Sequence, residues 1–312
     1  MSCEKLIDRF NKAHRHKMSD WFAAGTILND GVFSSTQPAD TTMAQTITFC
    51  NSLKYIDIIS NNPNVSCIIT TKALSDQFAN VDKGLVVLDQ PQTEFSRLHN
   101  ALAQKYQNEP VFSARIEKSA RIHPSATIDD TCFIGKNVQI GAGARILSKS
   151  YISDHSIVGP NVVVGSEGLE FKRQSDLTLL KIAHMGGVYL EPRVELMANS
   201  VICKDVYLGF TRVGSGTKIG PLVDIAHRSQ IGQNCLIAGN VTVGGSASIG
   251  NAVWIGPSAT ISDGITVGDG ARINLGGVVV KNVKPGQQVS GFYAVDHHRA
   301  LRQYASLASN QP

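Results

Sequence analysis

The stretch Thr217–Asn240, TKIGPLVDIAHRSQIGQNCLIAGN, places Ile219, Ile225, Ile231 and Ile237 six residues apart. Six is neither the period of a helix nor the two-residue alternation of a strand. It fits a short strand and a turn, repeated, with the aliphatic residue of each unit pointing inward. The period extends well beyond this stretch. Steps of six from Ile116 meet Ile122, Ile128, Ile134, Ile140, Ile146, Ile152, Val158 and Val164. From Val213 the same step passes through those four isoleucines to Val243, Ile249, Ile255, Ile261, Val267, Ile273 and Val279. Four residues after each aliphatic of the first run sits a small or β-branched residue or a cysteine, such as Ala126, Cys132, Val138 and Ser150. Residues of that size suit a tight corner. Between Ser166 and Gly187 the pattern breaks. It is read as resuming at Val188 and Val194 and then slipping by one residue to Val201 and Tyr207.

Three units make one triangular coil of roughly 18 residues, and stacked coils share a continuous core and hydrogen-bond ladders. The expected fold is a β-solenoid, a parallel β-helix of hexapeptide repeats. Residues one coil apart lie one above the other, which puts Gly245 above His227 and Gly209 below it.

The composition agrees with a folded, core-forming chain: 42% of its 312 residues are hydrophobic and 17% charged. A net charge of +4 is a mild basic excess that suits small anionic ligands. No run of Lys and Arg interleaved with aromatics points to nucleic acid. No apolar stretch reaches the ~18 residues of a membrane-spanning helix, and MSCEKLIDRFNKAHRHKMSD lacks the apolar segment of a signal peptide. Six scattered cysteines with no C-x-x-C pair read as reduced thiols, so the expected location is the cytoplasm.

Outside the hexads, ITF (47–49), VSCIITT (65–71) and GLVVLD (84–89) read as strands. Segments near Lys72–Ala79 and over 93–106 read as helices. Strands alternating with helices indicate a small α/β domain. The expected organisation is a small α/β domain over 1–107, a β-helix over 108–290 with an inserted loop at 166–187, and a short C-terminal helix over 291–312.

This order resembles the UDP-3-O-(3-hydroxyacyl)glucosamine N-acyltransferase family of lipid A biosynthesis, over nearly the whole chain. Ile225-Ala226-His227 is similar to the family's Q-I-A-H-N-V, which holds its catalytic histidine. Gly244-Gly245-Ser246 matches an A-G-S whose glycine N–H is assigned to the oxyanion. SEGLEF (166–171) is similar to G-x-x-G-F-G-[YF], and Lys181-Ile182 to K-I. TFCNSLKY (48–55) resembles T-F-x-x-N-P-K-Y, in which Phe and Tyr clasp a uracil ring. The departures cluster around substrate positions. Ser52 stands at the family's Asn, Asp224 at its Gln, and Gly264 at a second histidine.

The resemblance implies a left-handed coil, a homotrimer with sites in clefts between chains, and N-acylation of a nucleotide-linked amino sugar for lipid A or O-antigen-type glycans. The acyl group, expected to be 3-hydroxyacyl, comes from acyl-CoA or acyl carrier protein as co-substrate, with no permanently bound cofactor and no metal. His227 is expected as base and Gly245 as oxyanion donor. Substrate contacts are expected from Asp224, Phe49, Ser52, Tyr55, His184, Lys181 and Phe171, and acyl-donor contacts from Gly239, Asn240 and Gly264. The bland readings stand beside these. A histidine at the third place of its hexad is also an ordinary surface imidazole, His184 an idle loop histidine, Phe49 and Tyr55 domain packing, and Lys181 a solvated charge. Two other classes stand as alternatives: a γ-carbonic-anhydrase-like metalloenzyme, which needs converging histidines, and a non-catalytic β-helix binding protein.

Overall fold

The computed structural model describes residues 13–107, 109–291, 297–299, 302 and 306. From Arg115 to Val289 the chain winds as a left-handed parallel β-helix with three flat faces, each a sheet of two- to four-residue strands. The first face begins at Arg115–Ile116, the second at Arg121–Ile122 and the third at Thr127–Ile128; they hold eight, nine and eight strands. The hexad aliphatics are the inward residues. Ile134, Ile152, Val164, Ile219, Ile225, Ile255 and Ile273 have 1% or less of their surface exposed, and they form one column of core through the stack. The corner residue Asn161, Arg228, Asn240, Ser246 or Gly264 takes a left-handed backbone conformation, which turns the chain through each edge.

Strand pairing confirms the coil length from Val213 to Val279, where Asp224 pairs with Thr242 and Thr242 with Thr260. Between Ile152 and Val213 the register is different. An unbroken coil would set Ile152 beside position 170, but Ile152 pairs with Leu190, so the segment after Ser166 more than doubles that coil. An unbroken coil would likewise set Ile202 beside position 220, but Ile202 pairs with Ile225, so a second, five-residue insertion follows Cys203. The frame therefore resumes at Leu190, Leu196 and Ile202, not at Val188, Val194 and Val201. Val188 and Val194 are buried too, as the small corner residues two places earlier, which is why the sequence pattern is ambiguous there. Because of the second insertion, the position in step beneath His227 is Lys204 and not Gly209.

Both insertions leave the stack at the edge between the third and first faces. The longer one contains an antiparallel hairpin, Phe171–Arg173 with Leu179–Lys181.

The N-terminal part holds a five-stranded sheet in the spatial order 26–29, 84–87, 65–70, 46–50, 35–36. The three strands read from sequence form its centre. The helix Pro91–Lys105 packs on it with Phe95, Leu98 and Leu102 buried. This layer lies against the first face, where Phe133, Tyr151 and Tyr189 stack in successive coils with ring centroids 4.2 and 4.7 Å apart. Tyr189 and Phe210 share one apolar cluster with Phe33, Ile47, Phe95 and Phe112. Most of the expected C-terminal helix lies outside the described residues; His297–Arg299, Arg302 and Ser306 are helical. Among the described residues no helix is long and apolar enough to cross a membrane.

Candidate active site

His227 sits at the third-to-first edge, directly above the two insertions. Its backbone is fixed by the stack: His227 O accepts from Ser246 N–H at 2.9 Å. Its imidazole lies between two glycines. A Cβ on Gly245 would come within 2.6 Å of His227 Cε1, and one on Gly168 within 3.0 Å of Cδ2. Neither position accommodates a side chain without displacing the ring. Nδ1 is buried with no hydrogen-bond partner. Nε2 faces the Glu170 carboxylate at 3.2 Å, and that contact holds the Glu170 carboxyl below its usual value against the effect of burial.

The inserted segment is anchored on several sides. Gly168 N–H donates to His184 Nε2 at 3.1 Å. Burial lowers His184 to about 4, so its ring is neutral at pH 7 and accepts this bond. Glu167 pairs with Lys181 at 2.5 Å and Lys204 at 3.9 Å. Burial alone would raise the Glu167 carboxyl, but these lysines hold it below its usual value. The helix Pro91–Lys105 grips the far end: Asn100 Nδ2 donates to Lys181 O at 2.7 Å, and Ala183 N–H donates to Asn100 Oδ1 at 2.9 Å. His99, fully buried and lowered to about 4 by desolvation, links Ala183 O on Nε2 to Thr36 Oγ1 on Nδ1. A neutral His99 satisfies both partners when Nε2 donates and Thr36 donates to Nδ1.

Between this helix and the hairpin lies a cavity of about 340 Å³, walled by Phe49, Phe95, Phe171, Lys172, Tyr207 and Glu170. Glu170 thus joins the cavity to the imidazole. Aromatic walls with a few charged groups are the usual make-up of a small-ligand site.

The expected residues are brought together unevenly. His227, Gly245 and Gly264 share one edge, and Phe49 and Phe171 line the cavity beside it. Tyr55 does not close over Phe49; it lies 39% exposed with Lys54 over its ring, and Phe95 takes its place against Phe49 at 5.2 Å. Ser52 is an exposed cap that accepts from Lys54 N–H. His184 is buried and supports the inserted segment. Lys181 is paired with Glu167. Asp224 is an exposed strand residue of the third face whose carboxyl is raised by desolvation. Gly239 and Asn240 lie on another edge, between the second and third faces, so within one chain they do not meet His227.

The Gly245 N–H, expected to meet an oxyanion, donates here to Asp263 Oδ1 at 2.8 Å. The same bond recurs on this stack, as from Asn251 N–H to Asp269, and it belongs to the corner architecture. An oxyanion at Gly245 would have to displace this carboxylate, and the missing Cβ leaves room for the imidazole. Sequence reading passed over Glu170, Tyr207 and Asp263. Among the described residues no three His, Cys, Asp or Glu side chains converge on a metal position.

The family described as bacterial transferase hexapeptide (six repeats) matches residues 131–166 and 210–245, and the second match contains His227 and Gly245. A UDP-3-O-acylglucosamine N-acyltransferase of Acinetobacter baylyi is 33% identical over 215 residues, 68% of this chain and 56% of that protein. The chain carries hexapeptide repeats and is similar in sequence to UDP-3-O-acylglucosamine N-acyltransferases. A second protein so named, from Gloeobacter violaceus, is 40% identical over 73 residues, 23% of the hexapeptide-repeat chain and 19% of its own length. The matched stretches therefore span between about a fifth and just over half of these relatives. A solved UDP-N-acetylglucosamine acyltransferase from Campylobacter jejuni superposes on 62% of the hexapeptide-repeat chain and 83% of its own, with a TM-score of 0.47 and 24% identity.

Proposed function

We propose that this chain is an N-acyltransferase, moving an acyl group from a thioester to the amine of a nucleotide-linked amino sugar. One observation carries the reading: His227 Nε2 is the reachable nitrogen of an imidazole fixed on a rigid edge, and it meets an aromatic cavity through Glu170. Acyl transfer to an amine needs a base of this kind and no covalent enzyme intermediate. The amine nitrogen attacks the thioester carbon, His227 Nε2 takes a proton from it, and the same proton leaves with the sulfur as the C–S bond breaks.

Phe49, Phe95 and Phe171 would stack the nucleobase, and Lys172 at the rim would meet phosphate. The names of the similar proteins support a UDP-linked sugar as acceptor, and the resemblance of the motifs suggests lipid A-type glycan synthesis as the setting. Acyl-CoA or acyl carrier protein supplies the acyl group as co-substrate. Assembly as a homotrimer is part of the same reading, and the molar mass in solution tests it.

The direct test is to incubate the protein with acyl-CoA or acyl carrier protein thioester and a panel of UDP- and dTDP-linked amino sugars, with mass detection of the N-acyl product. Product that is absent in His227→Ala supports the reading. No product from any pair, or product undiminished in His227→Ala, overturns it.

A further inference from the structure

The Glu170–His227 contact has two possible chemical meanings. In the first, the carboxylate orients the imidazole from behind while the opposite nitrogen receives the proton. That requires an accessible Nδ1, and Nδ1 is buried without a partner. In the second, Glu170 stands on the nitrogen that must itself receive the proton. Only this meaning fits, because Nε2 is the nitrogen that faces the carboxylate, at 3.2 Å. Without substrate, Glu170 therefore occupies the place of the reacting group.

The side chain has somewhere else to point. Glu170 is 37% exposed and also lines the aromatic cavity. It follows two residues after Gly168, whose N–H is tied to His184, and its own N–H donates back to Gly168 O at 3.1 Å. The backbone is thus held, and the carboxylate, in contact with His227 Nε2, borders the cavity into which it would turn. Nothing bonded to His227 Nδ1 fixes the tautomer, so Nε2 can carry the lone pair once the carboxylate turns away.

We infer that Glu170 is the acceptor-binding residue that selects an ammonium over a hydroxyl, holding the substrate nitrogen against His227 Nε2. The inference rests on the N-acyltransferase reading and specifies how its acceptor is recognised. A carboxylate beside the base attracts R–NH3+ and gives an alcohol no comparable charge-assisted bond. The proton balance closes. R–NH3+ releases one proton to solvent and attacks as the neutral amine. The nitrogen then loses a second proton to Nε2, which passes it to the departing thiolate. Amide, thiol and one solvent proton result.

The test is calorimetric titration of UDP-glucosamine and UDP-glucose, which differ by amine against hydroxyl, into wild type, Glu170→Gln, Glu170→Asp and His227→Ala. Acyl-CoA turnover is measured in parallel. Wild type is expected to prefer the amine by about tenfold or more. Glu170→Gln should lose that preference while keeping its affinity for UDP-glucose, Glu170→Asp should restore part of it, and His227→Ala should keep it. A preference that survives in Glu170→Gln, equal weakening of both nucleotides, or binding of neither overturns the inference. N-acyl product with the preference intact in Glu170→Gln removes Glu170's role and leaves the acyltransferase reading standing. An amine preference lost in Glu170→Gln, with no product from wild type, does the reverse.

Discussion

The coils from Val213 to Val279 and the coils between Ile152 and Val213 use the same hexad for different ends. From Val213 to Val279 the strand pairings keep one constant step and every edge is a minimal turn. Between Ile152 and Val213 two successive turns of one edge carry a long and a short insertion, while the inward residues Leu190, Leu196 and Ile202 stay as buried as their counterparts. The regular coils supply rigidity, and the interrupted coils supply contact with the N-terminal layer and with His227. His227 stands at the seam, on a regular coil, with its partners on an interrupted one.

The sharpest way to break this division is to remove the imidazole. His227→Ala is expected to lower the acyl-transfer rate about 10²–10⁴-fold without a marked change in melting temperature, as steady-state kinetics and calorimetry would reveal. A rate loss accompanied by unfolding would make His227 part of the stack instead.

Two glycines of the same edge separate space from backbone. Gly245→Ala drives a Cβ into the imidazole, and misplacing a base by about 1 Å costs on the order of 10²-fold in rate. Gly264 has a φ of +66° and open space around a Cβ. Gly264→Ala is therefore expected to cost about 1–2 kcal/mol of stability and little rate. Equal rate losses in the two variants would refute the distinction.

The interrupted region should also be the acid-sensitive one. His99 titrates at about 4 in the folded chain against about 6.5 when unfolded. Above pH 6.5 neither state binds the proton and the stabilisation is complete. Between 6.5 and 4 the unfolded chain takes up a proton that the folded chain refuses, so stability falls with pH, by on the order of 3 kcal/mol for a fully buried imidazole. His184, also near 4, acts in the same direction. Melting at pH 7.5 and 4.5 should show a smaller drop for His99→Gln than for wild type; an identical drop would assign the sensitivity elsewhere. The smallest effect is expected at Lys181. Its pair with Glu167 is 59% and 38% exposed, so Lys181→Ala should shift stability by no more than about 1 kcal/mol.

What the sequence made legible follows from what repeats. The hexad names the inward residues, and its fixed step places Gly245 over His227 without any structure. The same step fails downward because a short insertion is hidden where Val206 and Leu208, both buried, imitate the pattern. Glu170 was illegible for a different reason. It reaches His227 from an irregular segment, and no spacing along the chain encodes a contact of that kind. Its trace is chemical: a glutamate stands where the similar loop motif has glycine. That Phe95 and not Tyr55 packs against Phe49 was hidden because a short motif fixes residue types but not which aromatic faces which. The bond from the Gly245 N–H to Asp263 was hidden because Asp263 sits one coil further on.

Because both insertions and His227 share one edge, that edge is a seam along which the chain can change length at small cost. A long segment enters one coil and a short one the next, and the other two edges keep their turns unaltered. Diversification is thereby channelled. A lineage can lengthen, shorten or rewrite the loop that meets the acceptor while the imidazole, the aliphatic column and the left-handed corners stay in register. Homologues of this chain should accordingly differ in acceptor mainly through segments at this seam, and transplanting the stretch 167–186 between them is the natural unit of exchange.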